Sequence, residues 1–198
     1  GKMHEIRQIL GDMDLEVVSM KEAGIDIDIV EDGTTFEENA IIKAKAVAAY
    51  TDAIVLADDS GLEIEYLNNE PGIYSARYMG ADTPYSVKNQ NFIDRLKGVP
   101  DEKRTARFVC VIAAAMPDGE IFTTKGVIEG RIVMSMGHPD LIISDQKLCL
   151  SRKAAKVVMV ALCHLRRAAC RLADQVFATF HISAVNQKVY FSDLLHNL

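Results

Sequence analysis

The chain has 198 residues and a mass of 21.9 kDa, which is enough for one domain or at most two small ones. Hydrophobic residues make up 49% of it and charged residues 25%, a globular composition that excludes disordered and fibrous classes. The longest apolar runs, Val109–Met116 and Val157–Cys163, have eight and seven residues, whereas a membrane span needs roughly 20. The net charge of −6 argues against nucleic-acid binding by the whole molecule. No signal segment opens the sequence, so we expect no export.

Charge is divided unevenly along the chain. Residues 1–131 hold 14 Lys and Arg against 24 Asp and Glu, whereas residues 132–198 hold 8 against 4. No glutamate follows Glu129. We therefore expect a core over residues 1–131 and an atypical basic, mainly helical tail over residues 132–198.

In chain order, hydrophobic patterning predicts a helix, a strand, a helix, two strands, a helix and a strand hairpin. Asp118-Gly119 is a strong signal for the hairpin turn, and a helix-like segment follows over Ser151–Ala178. Helices mixed with strands in this way indicate an α/β domain with a mixed sheet. The bounds of the core elements are His4–Leu10, Leu15–Ser19, Phe36 to about Tyr50, Ala53–Ala57, Leu62–Tyr66, Thr83–Leu96, Ala106–Met116 and Glu120–Ile128.

Two adjacent carboxylates follow one predicted strand directly, in the run Asp58-Asp59-Ser60-Gly61. Ligands commonly bind in crevices at strand ends of α/β sheets, and neighbouring carboxylates hold their charge best beside a cation. Oxygen ligands of this kind suit Mg²⁺, which itself binds phosphates, and Ser60 can offer a hydroxyl to a phosphate. The same residue types are also favoured in turns. The run alone leaves a metal site and a plain turn open.

The helix predicted from Phe36 carries both acidic and basic candidates. Glu38, near the helix N-terminus, can complete a metal site, and Lys43 can meet a phosphate. Alternatively, Thr35-x-x-Glu38 is a capping box in which Glu38 bonds back to the Thr35 amide. Lys43 and Lys45 are then solvated surface lysines. Taken alone, this helix favours the capping interpretation.

A third candidate is the run Pro71-Gly72-Ile73-Tyr74-Ser75-Ala76-Arg77-Tyr78. Pro-Gly makes a turn, and the aromatic residues with Arg77 can stack on or bind a nucleotide. Alternatively, Ile73 and Tyr74 pack this loop on the core while Arg77 pairs with a carboxylate. The residues alone leave both interpretations open.

Together, in this order and at close spacing, the motifs are highly specific. They resemble those of the inosine triphosphate pyrophosphatase family, the non-canonical purine NTP (XTP/dITP) pyrophosphatases. The likeness covers residues 1–131, about two thirds of the chain. The motifs are Thr35-Phe36-x-Glu38-Asn39-Ala40-x-x-Lys43, Ala57-Asp58-Asp59-Ser60-Gly61-Leu62, Pro71 to Tyr78 and Ala106-Arg107-Phe108-x-Cys110.

The resemblance implies a hydrolase, a Mg²⁺-dependent nucleoside-triphosphate pyrophosphatase that clears ITP, XTP or dITP from the nucleotide pool. Water attacks the α-phosphorus and leaves the monophosphate and pyrophosphate. The family fold is an elongated mixed-sheet α/β domain with a central cleft, in a cytoplasmic homodimer with no membrane partner. By the same resemblance Asp59 is the general base, the metal ligands are Glu38, Asp58 and Asp59, and the substrate contacts are Lys2, Lys43, Ser60 and Arg77.

Two segments of the family pattern have no match in this sequence. The family opens with a strand and a Ser/Thr-x-Asn-x-x-Lys loop, of which only the last residue matches, at Lys2. After Gly130 the family carries Gly-Phe-Gly-Tyr-Asp-Pro and Ser-His-Arg segments that hold the purine base, and neither is present. The resemblance therefore implies a metal and phosphate half without the base-binding motifs.

The tail leaves two other functions open. One is a catalytically impaired remnant that binds nucleotide and metal and uses its C-terminal helix as an interaction element. The other is a small nucleic-acid-associated protein that binds through the tail. We favour a solvated helix face over nucleic-acid contact because the segment has no motif and few aromatic residues. The basic residues in question are Arg152, Lys153, Lys156, Arg166, Arg167 and Arg171.

Overall fold

The computed structural model describes residues 2–10, 15–134 and 187–192. Within them the chain forms three α-helices and six strands, joined by short 3₁₀ turns. The helices are α1 (Lys2–Leu10), α2 (Phe36–Ala48) and α3 (Tyr85–Arg95). The strands are β1 (Leu15–Ser19), β2 (Ile54–Ile64), β3 (Glu70–Pro71), β4 (Thr105–Ala115), β5 (Ile121–Arg131) and β6 (Gln187–Ser192).

The strands form one mixed sheet in the order β1-β6-β2-β4-β5, with β3 paired to β2. β6 is the last of the described strands along the chain yet lies parallel to both of its neighbours, so that Val189 is opposite Val17 of β1 and Ile54 of β2. β3 is antiparallel to β2. The prediction of a mixed-sheet α/β fold is confirmed. The strand formed by residues 187–192 had no counterpart in the predicted elements.

The prediction of two separate strands, Ala53–Ala57 and Leu62–Tyr66, is wrong, and so is the alternative interpretation of Asp58-Asp59-Ser60-Gly61 as a turn. β2 runs without a break from Ile54 to Ile64 and carries these residues in its interior. Asp58 and Asp59 are only 3% and 6% exposed. Polar residues of this kind usually mark turns. Here the backbone is held extended because β2 lies inside the sheet, between β6 and β4.

Helix α2 begins at Phe36 because Thr35 caps it. The Thr35 hydroxyl accepts a hydrogen bond from the backbone N–H of Glu38 at 3.1 Å, which satisfies one of the free donors at a helix start. The predicted start is confirmed, and the helix ends at Ala48 rather than near Tyr50. Its buried face has the helical spacing of three and four residues. This face includes two polar side chains among apolar ones: Phe36, Asn39, Ala40, Lys43, Ala44 and Val47.

The remaining helix and strand predictions agree with the structure within two residues at each end, apart from β5, which continues to Arg131. α1 begins at Lys2, two residues before its predicted start. The helix predicted over Ser151–Ala178 lies outside the described residues. Among the described helices, none is long and apolar enough to cross a membrane.

The chain divides into two compact units. Of the described residues, the first unit contains 2–10, 15–59, 111–126 and 187–192, and the second contains 60–110 and 127–134. The first unit buries Ile6 of α1, Val47 of α2 and Phe191 of β6 completely. In the second unit, Phe92 of α3 is buried and stacks on Tyr78, with ring centroids 5.0 Å apart.

Candidate active site

The polar residues of α2 meet the acidic residues of β2 inside the first unit. The ammonium of Lys43 donates to Oδ1 of Asp59 at 2.9 Å, and the side-chain amide of Asn39 donates to Oδ2 at 3.3 Å. Asn39 and Lys43 are four residues apart on one face of the helix, so both can reach the same carboxylate. Lys43 and Asn39 are 2% and 0% exposed. Both oxygens of Asp59 are thus held by buried donors.

A second carboxylate reaches the same lysine. Oε2 of Glu31 lies 3.2 Å from the ammonium of Lys43. Burial opposes the charged form of Lys43, but the attraction of Asp59, Asp58 and Glu31 outweighs it, and the pKa of Lys43 is raised above its ordinary value. Lys43 is therefore a fixed positive charge in this cluster, not the solvated lysine of the alternative interpretation.

At Asp59, the candidate base, burial outweighs the attraction between the charges. It raises the pKa of Asp59 above its ordinary value of 3.8, although the ion pair with Lys43 and the hydrogen bond from Asn39 act to lower it. A carboxylate with a raised pKa is a stronger base than an exposed one. Such groups are found at catalytic sites, where proton transfer needs a pKa close to the working pH.

The carboxylate of Glu38 lies elsewhere, at the start of α2. It accepts hydrogen bonds from the backbone N–H and the hydroxyl of Thr34, at 2.6 and 2.7 Å, and these lower its pKa. The predicted capping interaction is present, because the Thr35 amide also contributes a hydrogen bond, but Glu38 binds mainly Thr34. Its role as a metal ligand remains a prediction.

Sequence reasoning missed Glu31, which lies two residues before a glycine that contacts α2. The backbone N–H of Gly33 donates to Oδ1 of Asn39 at 2.9 Å, and a Cβ at Gly33 would lie 2.6 Å from that oxygen. Only glycine permits this close approach. The contact brings the chain around Glu31 against α2, where Glu31 reaches Lys43.

The other predicted substrate contacts lie in different parts of the fold. Ser60 follows Asp59 in β2 and belongs to the second unit. Arg77 belongs to the same unit, and its guanidinium lies 5.0 Å from the ring centroid of Tyr74. Lys2 begins α1, and its side chain is outside what the structure describes.

Hydrogen bonds at Ser75 and Ala76 hold the loop that carries Arg77. The Ser75 hydroxyl accepts from the backbone N–H of Leu62 at 3.0 Å and donates to the carbonyl of Gly72 at 2.6 Å. The buried ammonium of Lys88 donates to the carbonyl of Ala76 at 2.7 Å. Within the second unit, these bonds fix the backbone beside Arg77.

Comparisons with known proteins agree with the motif resemblance. The Ham1 family model matches residues 1–141. The dITP/XTP pyrophosphatase of Clostridium perfringens is 47% identical over 141 residues, which cover 68% of this chain and 69% of the relative. That of Bacillus subtilis is 45% identical over 132 residues, or 67% of each chain.

Solved structures show the same fold. A HAM1 protein from Coxiella burnetii superposes with a TM-score of 0.71 and 32% identity, covering 87% of this chain and 93% of the other. The Staphylococcus aureus Ham1 protein gives a TM-score of 0.66 and 34% identity, covering 82% and 93%. These findings confirm the predicted family and the pyrophosphatase class of its members. The chain belongs to the Ham1 family.

Proposed function

We propose that the chain hydrolyses the non-canonical purine nucleoside triphosphates ITP, XTP and dITP to their monophosphates and pyrophosphate. One observation carries this proposal: a buried aspartate, Asp59, has both oxygens held by Lys43 and Asn39. The relatives named dITP/XTP pyrophosphatase support the substrate class. The resemblance also supports action in the cytoplasm as a homodimer.

In the proposed reaction Asp59 is the general base. Its carboxylate takes a proton from a water molecule, the oxygen of that water attacks the α-phosphorus, and the bond to the β-phosphate bridging oxygen breaks. Pyrophosphate leaves with the electron pair of that bond. The raised pKa of Asp59 favours the proton transfer, and Lys43 and Asn39 keep the carboxylate in one orientation.

Mg²⁺ is the proposed metal, and the donor set suits it. Among the described residues, no three His, Cys, Asp or Glu side chains form a ready-made metal cage. Mg²⁺ is usually bound by one or two carboxylates together with substrate phosphates, so a cage is not required. Asp58 and Asp59 are the proposed ligands. Glu38, which the resemblance adds as a third ligand, is engaged by Thr34, whereas Glu31 lies 3.2 Å from the ammonium of Lys43. The bound ion would neutralise the polyphosphate charge.

The basic residues are proposed to bind the polyphosphate. Lys43 keeps its positive charge inside the cluster, and the resemblance assigns phosphate or nucleotide contacts to Lys2, Ser60 and Arg77 as well. An arginine can hold two phosphate oxygens at once, which makes Arg77 suited to that role. The base-binding part of the site has no proposed residues, because the family's base-binding motifs have no match in this sequence.

The substrate proposal is tested by pyrophosphate release from ITP, XTP, dITP, ATP and GTP, each with and without Mg²⁺. We expect metal-dependent release from the first three and much slower release from ATP and GTP. Equal rates on all five would contradict the proposed base selectivity but not the chemistry. Nucleotide binding without release would support the catalytically impaired remnant instead.

A further inference from the structure

The end of β6 carries a buried hydroxyl that has no partner among the described residues. Ser192 is 1% exposed, and within the described part of the chain its Oγ has no hydrogen-bond partner. A buried hydroxyl without an acceptor destabilises a fold, and such groups in native structures call for an explanation. A bound ligand that accepts this hydrogen bond is one such explanation.

The register of the sheet places this hydroxyl beside the proposed base. Ser192 lies opposite Ala57 in the parallel pairing of β6 with β2. Residues opposite each other share a face of the sheet, and side chains along a strand alternate between faces. Ser192 therefore projects from the same face as Ala57 and Asp59, with Asp59 on the neighbouring strand two residues further along.

Helix α2 covers that same face, since its Lys43 and Asn39 both reach the carboxylate of Asp59. α2 also contacts β6 directly. Ser192 thus lies in the same unit and on the same sheet face as a buried lysine and a buried carboxylate. Within the described residues neither group bonds the Ser192 hydroxyl, and the buried ammonium of Lys43 favours a negative charge on this face, so a phosphate oxygen is a suitable acceptor.

We propose that Ser192 is a substrate-binding residue whose hydroxyl donates a hydrogen bond to a phosphate oxygen of the nucleoside triphosphate. This inference rests on the proposed function. It makes the C-terminal strand part of the active site and not only a member of the sheet. The tail beyond residue 131, which lies outside the motif resemblance, thereby contributes directly to substrate binding.

A serine on the neighbouring strand provides a matched control. Ser19 ends β1 as Ser192 ends β6, and it is also buried. Its hydroxyl does have a partner, since it lies 2.8 Å from a carboxylate oxygen of Glu22. Loss of Ser19 should therefore reduce stability, whereas loss of Ser192 should reduce binding.

The test measures ITP binding with Mg²⁺ by titration calorimetry in the Asp59→Asn background, so that turnover does not interfere. Adding Ser192→Ala should weaken ITP binding about tenfold, the effect of losing one hydrogen bond to a charged group, while Tm stays the same or rises. Ser192→Cys, which keeps the volume and loses the hydroxyl, should behave alike. Adding Ser19→Ala should lower Tm and leave ITP binding unchanged.

The outcomes separate this inference from the proposed function. Unchanged ITP binding in the Ser192 variants, or a Tm that falls as in Ser19→Ala, overturns the role of Ser192. If the wild type releases no pyrophosphate and Ser192→Ala still weakens ITP binding, the hydrolysis proposal fails and the role of Ser192 stands. Failure of the wild type to bind or hydrolyse ITP at all overturns both.

Discussion

The ammonium of Lys43 lies 2.9 Å from Oδ1 of Asp59, and the two side chains are 2% and 8% exposed. Each of two opposite charges buried at this distance needs the attraction of the other to offset the cost of its removal from water. The loss of either one leaves the other buried without its main partner, which costs more than the pair itself contributes. This mutual dependence links the stability of the first unit to its proposed chemistry.

The first prediction concerns that dependence. Lys43→Met should lower the free energy of unfolding by about 3–5 kcal/mol, because the Asp59 carboxylate remains buried without its lysine. Lys45→Met is the matched control, since Lys45 is exposed on the same helix. Urea denaturation measures both, and the control should change by less than about 0.5 kcal/mol. Equal effects at the two positions would contradict the buried pair.

The second prediction concerns pH. Because the pKa of Asp59 is raised above 3.8, kcat/KM should rise with pH along an acid limb whose midpoint lies above that value. In Lys43→Met the limb should move to higher pH still, since the ion pair that lowers this pKa is lost. Initial rates of pyrophosphate release across the pH range measure both midpoints. A wild-type limb at or below pH 3.8 would contradict the assignment.

The raised pKa of Asp59 also makes the stability of the folded chain depend on pH. The folded chain binds a proton at Asp59 more readily than the unfolded chain does. The contribution of Asp59 to stability is therefore fully present below pH 3.8 and is lost as the pH rises through the folded pKa. Asp59→Asn removes this dependence. Its stability relative to the wild type should thus improve as the pH is raised across that window, as urea denaturation would show.

Helix α2 and its cap were predictable from the sequence, and the central strand was not. Thr35 with the apolar spacing from Phe36 gives the helix start by local chemistry alone. The residue types of the acidic run in β2 are typical of a turn, and local propensity cannot show that β6 and β4 pair with this strand on its two edges. The position of β6 was equally hidden, since pairing partners far apart in sequence leave no local signal.

The candidate site, like the fold, was only partly predictable from the sequence. Asp59 and Lys43 were identified through motif resemblance, and their contact is a tertiary fact that no spacing shows. Glu31 was missed because an acidic residue in a loop has no periodic pattern around it. The signal nearest to it is Gly33, whose close approach to Asn39 is visible only in three dimensions.

The third prediction compares the two glutamates nearest the proposed metal site. Glu31→Gln should raise the Mg²⁺ concentration needed for half-maximal activity by about tenfold or more, because the negative charge that holds Lys43 beside the proposed ligand Asp59 is lost. Glu38→Gln should change it less, since the Glu38 carboxylate is engaged by Thr34. Magnesium titrations of pyrophosphate release measure both. A larger effect at Glu38 would restore the ligand set that the resemblance implies.

The fourth prediction concerns the glycine that brings Glu31 to α2. In Gly33→Ala the new Cβ would lie 2.6 Å from Oδ1 and 3.0 Å from the backbone nitrogen of Asn39, so the backbone must move. Overpacking of this kind costs about 1–3 kcal/mol. Because Asn39 also holds Asp59, kcat should fall together with Tm. A variant with unchanged Tm and kcat would show that the close approach is unimportant.

One comparison shows whether Asp59 is the base of a Mg²⁺-dependent pyrophosphatase. Pyrophosphate release from ITP with Mg²⁺ is measured for the wild type and for Asp59→Asn, with circular dichroism to verify that both are folded. We expect release by the wild type and a fall in kcat of about 10²–10⁴-fold in the variant, the usual contribution of a general base. A folded Asp59→Asn variant that releases pyrophosphate at the wild-type rate would contradict it.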